Sequence, residues 1–466
     1  MATPAPSTLR RDLVSAYAAS ATRVAAWAVV SAFLYRREGP DALGLFALVR
    51  ATIGLLAYTS LGLAPAVVRF LAASLSQPVR ALPWNESPPA VLSYRRAAVD
   101  PGRNVYSTAL VVGTGAAILA GVASALYAFS FTSLHHVPGH LSYQVRSLVL
   151  LMGAGLVFRI LSDVPGAVLQ ARGSIALDNR LLIGADIGWA CITLIANRGH
   201  ELTLAGFGFL VANGVLLLAR ALNAAKVTNL WVPSLGEFHP TLARQLIAFG
   251  LLITLGQVAD FLYAPTDYIL INHFLGTLEV AIYTPAVQID AALLLLVAGL
   301  ASVLLPKAAV AHAGGDAPTL RRYYVTGTLV SVAVLTVGAL ASYLLAPKIF
   351  RLWLGEPMVP TQRILPLVLI HTVLGGSSAV GRSILLGMGK VKPFAIAALI
   401  AGIANVILSY CFVKYLNLGL RGIIYGTICV VTVRCAVWLP WYVLRSIRGG
   451  EAQPTFEVEA QGQVPV

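Results

Sequence analysis

The chain is predicted to be an all-α integral membrane protein. It should hold about 12 transmembrane helices in two six-helix lobes, related by a pseudo-two-fold axis along the membrane normal. Three observations predict this. Of 466 residues, 58% are hydrophobic and 11% are charged, with a mean hydropathy of +0.79; soluble domains carry roughly 25% charged residues. Uncharged, mostly apolar runs such as Ser107–Ala128 and Tyr323–Ala346 reach the roughly 20 residues that cross ~30 Å of hydrocarbon. The two halves of the chain also resemble each other. The composition excludes a soluble globular fold and a disordered chain. The length of the runs excludes a transmembrane barrel, which shows alternating segments of about ten residues.

Twelve apolar segments follow in order: 12–36, 41–71, 104–130, 144–170, 180–197, 201–224, 242–273, 278–306, 322–347, 362–387, 392–413 and 418–445. The fourth contains Pro165-Gly166 and the seventh contains Pro265. Either can interrupt a helix and free backbone groups inside the bilayer, which is tolerated where protein or water satisfies them. Arg10-Arg11 precedes the first segment, but Arg23 interrupts that stretch, so it reads as a spanning helix rather than a cleaved leader. The loops that share a side with the termini carry about twice as many Lys and Arg as the opposite loops. That bias places both termini in the cytoplasm. The long loop 72–103 then lies inside, and the outer loops are short. The tail 446–466 is polar and reads as disordered. The net charge of +14 reports loop bias and buried arginines, not a nucleic-acid partner.

The repeat is carried by three pairs of strings. Gly39–Phe46 resembles Gly276–Tyr283, Leu169–Gly173 resembles Leu385–Gly389, and Leu204–Gly206 resembles Leu420–Gly422. The last two pairs share one offset. The first differs from it by about the excess length of loop 72–103. This predicts an N-terminal lobe over 1–225 and a C-terminal lobe over 226–445. Six helices per repeat is an even number, so both halves enter the membrane from one side. Parallel-repeat transporters place their sites at the repeat interface near the midplane.

Six arginines fall inside apolar segments: Arg23, Arg50, Arg69, Arg159, Arg382 and Arg434. A central arginine costs about 2.5–3.5 kcal/mol on insertion scales. Arg69 and Arg382 lie near segment ends, where they can snorkel. Arg159 has Asp163 one turn away, at the spacing of an ion pair. Arg23, Arg50 and Arg434 have no acid at helical spacing, so a wet, anion-binding cavity is their expected surroundings. A guanidinium suits phosphate because it donates in a planar fork. Five aspartates are also intramembrane: Asp163, Asp186, Asp260, Asp267 and Asp290. Asp260 and Asp267 share the seventh segment with Gln257 and flank Pro265; Asp290 sits in the eighth near Gln288. Asp260, Asp267, Asp290 and Gln257 are candidates for coupling a proton or sodium ion, and neutralising the arginines is the alternative. Cys191, Cys411, Cys429 and Cys435 lack metal-ligand spacing and read as packing residues. His135, His136 and His140 read as an outer-loop cluster. No metal site or other cofactor is expected.

Leu61–Phe70, Asp267–Leu270, Leu275-Gly276 followed by Ile282-Tyr283, and Val303–Pro306 resemble segments of bacterial polysaccharide and O-antigen flippases of the multidrug/oligosaccharidyl-lipid/polysaccharide exporter superfamily. The resemblance covers about residues 10–445. Where that family has Gly before the Tyr of the eighth helix, this chain has Ala281. The resemblance implies a cationic cavity between two lobes, in the bacterial cytoplasmic membrane. It implies flipping of undecaprenyl-diphosphate-linked oligosaccharide, with a polysaccharide polymerase or glycosyltransferases as partners alongside membrane lipids. Arg23 and Arg50 resemble the cavity arginines of related peptidoglycan-lipid flippases. The expected substrate contacts are therefore Arg23, Arg50, Arg434 and Arg159. Two rival readings stand beside this one. A cation-coupled multidrug antiporter of the same fold predicts cationic substrates. An integral-membrane enzyme of polysaccharide assembly would need a larger extramembrane region than these loops supply.

Overall fold

The computed structural model describes residues 6–60, 62–76, 101–196, 201–228 and 235–448. These residues are almost entirely helical, and 11 helices are long and apolar enough to cross a membrane. The first lobe comprises α1 (Pro6–Glu38), α2 (Pro40–Leu56), α3 (Leu63–Ser76), α4 (Pro101–Leu134), α5 (Ser142–Ala171), α6 (Ile175–Ala196) and α7 (Thr203–Val227). The second comprises α8 (Pro240–Phe261), α9 (Ala264–Leu275), α10 (Thr277–Ala313), α11 (Ala317–Leu354), α12 (Val359–Gly387), α13 (Val391–Lys414), α14 (Gly419–Val431) and α15 (Leu439–Arg448). A π-helical stretch, Thr432–Trp438, joins α14 to α15.

Twelve apolar segments do not give twelve unbroken helices. The seventh is split between α8 and α9, next to Pro265, whose missing N–H and fixed φ suit the first turn of a helix. The freed Leu262 carbonyl accepts from Asn405 Nδ2 on α13 at 3.0 Å. The second segment, read as one run over 41–71, is also broken. A 3-10 turn, Ala57–Ser60, separates α2 from α3, and Gly62 takes a positive φ of 57°. Pro165 does not break α5, which runs through it.

The repeat is visible in the backbone. Gly39 between α1 and α2 has φ 89° and ψ −177°; Gly276 between α9 and α10 has φ 91° and ψ −179°. That region is open to glycine almost alone. Gly173 and Gly389 follow α5 and α12 with φ 77° and 72°. Each closes its helix with the same pair of bonds. Ser174 N donates to Leu169 O (2.8 Å) and Gly173 N to Gln170 O (3.0 Å); Lys390 N donates to Leu385 O (2.9 Å) and Gly389 N to Leu386 O (3.0 Å). This is the Schellman arrangement.

The first lobe is cross-braced by a buried ion cluster. Arg220 of α7 donates to Asp178 of α6 through Nε (2.8 Å) and Nη2 (3.0 Å), to Ser162 Oγ (3.1 Å), and lies 3.5 Å from Asp163. Gln170 donates to Asp178 at 2.8 Å. A Cβ on residue 166 would lie 2.7 Å from the guanidinium carbon, so Gly166 makes room for it. α8 makes contacts in both halves of the chain. Leu242 and Leu246 of α8 share a core with α3, α4 and α5, and Arg69 lies 4.5 Å over Phe249. α8 also packs on α13. It is thus wedged between the lobes.

Candidate functional site

The lobes meet around a cavity of about 300 Å³ lined by α1, α2, the 3-10 turn, α9 and α10. Among the described residues its one charged lining residue is Arg50. The guanidinium lies 4.1 Å over the Trp27 ring. Trp27 is held in turn by Phe46 (5.4 Å between centroids) and Trp189 (4.3 Å), and Trp189 Nε1 donates to Ala205 O at 3.0 Å. A three-ring aromatic cluster anchored in the first lobe thus holds the ring against which the Arg50 cation sits at the cavity wall. Tyr58, Tyr268, Pro265 and Val287 supply apolar and aromatic surface. Gln288 Nε2 donates across the interface to Ser31 Oγ at 2.7 Å. At an effective dielectric of 20, a cation about 4 Å from Arg50 would be repelled by about 4 kcal/mol and an anion attracted by as much.

The other predicted arginines have different surroundings. Arg23 has no acid at helical spacing, but it pairs across to Asp186 of α6 at 3.4 Å. Asp163 pairs with Arg220; among the described residues no ion pair within 4 Å joins it to Arg159. Arg434 lies in the π-helical stretch, 4.8 Å over Tyr263 beside the α8–α9 break, and does not line the cavity. Arg382 lies 5.6 Å over Phe394. Arg220 and Asp178 were missed in the sequence. A lone arginine near a segment end reads as a snorkelling residue, and its partner sits 42 positions away.

Asp267 of α9 is fully buried in the second lobe. It accepts from Tyr283 OH (3.1 Å), Thr427 Oγ1 (3.2 Å) and Asn405 Nδ2 (3.4 Å). Asn405 Oδ1 has no hydrogen-bond partner. Asp290 of α10 accepts from Thr372 Oγ1 at 2.6 Å, with His371 Nδ1 at 3.9 Å. A cavity of about 10 Å³ lies between these two groups, walled by Tyr283, Thr427, Asp290 and His371, with room for about one water. Val287 lines both this space and the central cavity. The side chains of Gln257 and Asp260 lie outside the described residues.

The side of the molecule away from the termini is closed by a latch between the lobes. Asn272 Oδ1 accepts from His136 N at 3.0 Å, and its Nδ2 donates to His136 O at 3.2 Å. Thr277 Oγ1 donates to the same carbonyl at 3.0 Å. Trp353 Nε1 donates to Ala28 O at 2.9 Å, and Arg36 donates to Leu352 O. Gly44 lies against the Thr277 carbonyl with no room for a Cβ. Next to the latch, His135 Nε2 lies 2.7 Å from Tyr127 OH. Burial pushes the His135 imidazole below its ordinary value. Relative to an open far side, the closed latch is therefore unpenalised above about pH 6.5 and loses stability as the pH falls towards the depressed value. Far-side opening, read by spin-label distances across the latch, is expected to rise on acidification, and His135→Gln should flatten that response.

The fold is that of the multidrug MATE transporters. A profile of the MatE family matches residues 247–411. An inward-facing multidrug resistance MATE family transporter of the MOP superfamily superimposes with a TM-score of 0.76 at 16% identity, covering 91% of this chain and 96% of that one. An outward-facing conformation of such a transporter gives 0.65 at 17% identity, over 95% and 96%. A MOP superfamily transporter from Pyrococcus furiosus, whose binding pocket is described as having reverse polarity suggesting a different function, gives 0.62 at 15% identity, over 96% of each chain. No curated protein matches the chain in sequence.

Proposed function

We propose that this chain is an alternating-access exporter of small amphiphilic organic compounds, coupled to cation movement through its second lobe. The observation that carries this reading is the cavity between the lobes, aromatic and apolar in its lining, lying on the termini side of an inter-lobe latch. The fold shared with multidrug transporters supports it, as does the better superposition on an inward-facing conformation. The test is uptake by proteoliposomes of purified protein: compounds that bind the cavity should accumulate under a proton or sodium gradient and stop when the gradient is collapsed.

For coupling, Asp267 offers a fully buried carboxylate faced by two hydroxyls and the Asn405 amide N–H. It suits a proton or a sodium ion. Asp267→Asn keeps the shape and removes the charge. Gradient-driven uptake is expected to fall to background while ligand binding to the purified protein persists. Uptake unaltered in D267N would remove Asp267 from the coupling role.

A second reading is favoured by one observation, the electrostatic proximity of Arg23 to both Arg50 and Arg159 on the first lobe, with Arg50 at the cavity wall. A diphosphate head group could use it, and the substrate would then be a lipid-linked oligosaccharide. Deleting the gene should in that case lower surface polysaccharide and raise the diphosphate-linked precursor, with both restored by complementation. Normal polymer and no precursor build-up would leave the small-molecule reading.

A further inference from the structure

Resting on the exporter reading, we infer that the central cavity selects organic anions with a flat aromatic body, such as aromatic carboxylates, and rejects organic cations. The selection rests on a count of partners. Every described intramembrane aspartate outside α8 is already engaged by a group other than Arg50. Asp186 holds Arg23, Asp163 and Asp178 hold Arg220, Asp267 accepts from three donors, and Asp290 accepts from Thr372. Among the described residues no ion pair within 4 Å reaches Arg50, and no described acidic side chain lines the cavity. A bound carboxylate would supply the missing counter-charge through the planar fork of the guanidinium.

The aromatic half of the inference comes from the walls. The Arg50 guanidinium carbon lies 4.1 Å over the Trp27 ring at the cavity wall, so a planar aromatic acid can meet a cation and an aromatic surface together. Tyr58 and Tyr268 flank the same space. Size separates a free acid from a lipid-linked one. A volume of about 300 Å³ is at the lower end for small-molecule sites, enough for a fused two-ring acid and too small for an oligosaccharide diphosphate. Both ligands share anionic chemistry, so the test must part them.

Binding to the purified full chain in nanodiscs would be measured for 2-naphthoate, ethidium and undecaprenyl diphosphate, followed by uptake of the first two into proteoliposomes. The inference expects 2-naphthoate to bind and to be taken up, with ethidium doing neither. Arg50→Gln should weaken naphthoate binding by about tenfold or more, and Arg50→Lys by less, because it keeps the charge and loses the flat fork. Thermal unfolding of each variant checks that the fold survives. Ethidium binding and uptake equal to that of naphthoate would overturn the inference and leave the exporter reading standing. So would naphthoate binding unchanged in a folded R50Q protein. Binding of undecaprenyl diphosphate alone, lost in R50Q, with neither small probe bound or moved, would overturn both.

Discussion

Replacing Arg220 by Leu is expected to cost about 3–5 kcal/mol, the penalty for stripping one partner from a buried ion pair. Asp178 is fully buried and takes two of its three hydrogen bonds from that guanidinium. Without them its charge faces protein interior with Gln170 alone, and the tie between α5, α6 and α7 is lost. The measurement is the unfolding midpoint in detergent together with the yield of folded protein. The double variant R220L with Asp178→Leu is expected to recover part of the loss, since a charge-free pair carries no uncompensated ion. A single variant as stable as the parent would mean that water or a neighbouring group replaces the arginine.

The second large effect is expected at Asn272. Its side chain is fully buried, and both ends of its amide are spent on the His136 backbone in the opposite lobe. These bonds exist only while the far side is closed. Asn272→Ala leaves the His136 N–H without its partner, at a cost of about 1–3 kcal/mol. The cost falls on the closed state alone, so the open population should grow by about 5–150-fold. Distances between spin labels on α2 and α10 at the far side would report the shift. Unchanged distances would assign the latch to the Trp353, Arg36 and Thr277 contacts instead.

Helical class and duplication were legible because each leaves a mark that local chemistry enforces. Gly39 and Gly276 hold a backbone conformation closed to other residues, and Gly173 and Gly389 terminate equivalent helices. Glycine was therefore retained in both copies and could be matched by eye. Pro265 announced the break between α8 and α9 for a similar reason, the loss of a donor. The break between α2 and α3 escaped because hydropathy is blind to φ, and the run 41–71 stays apolar across it. Charge pairing was the least legible feature. Helical spacing finds partners three or four residues apart, whereas Arg23 meets Asp186 and Arg220 meets Asp178 only after folding. Arg50 was readable as a candidate from its depth. Its seat over Trp27, in an aromatic cluster that reaches to Trp189 on α6, was not.

The wedged position of α8 gives the Leu262–Tyr263 junction a mechanical meaning. α8 is gripped by α3, α4 and α13, and α9 packs against α2, α10, α13 and α14. Both helices touch elements of both lobes, so the joint is a place where a swing of one lobe against the other can be taken up. The amide of Asn405 holds the joint's carbonyl and one oxygen of Asp267 at once. Under the coupling role proposed for Asp267, loading that carboxylate would slacken or tighten a bond that also holds the joint. Under that proposal, torque and ion occupancy would meet in a single side chain.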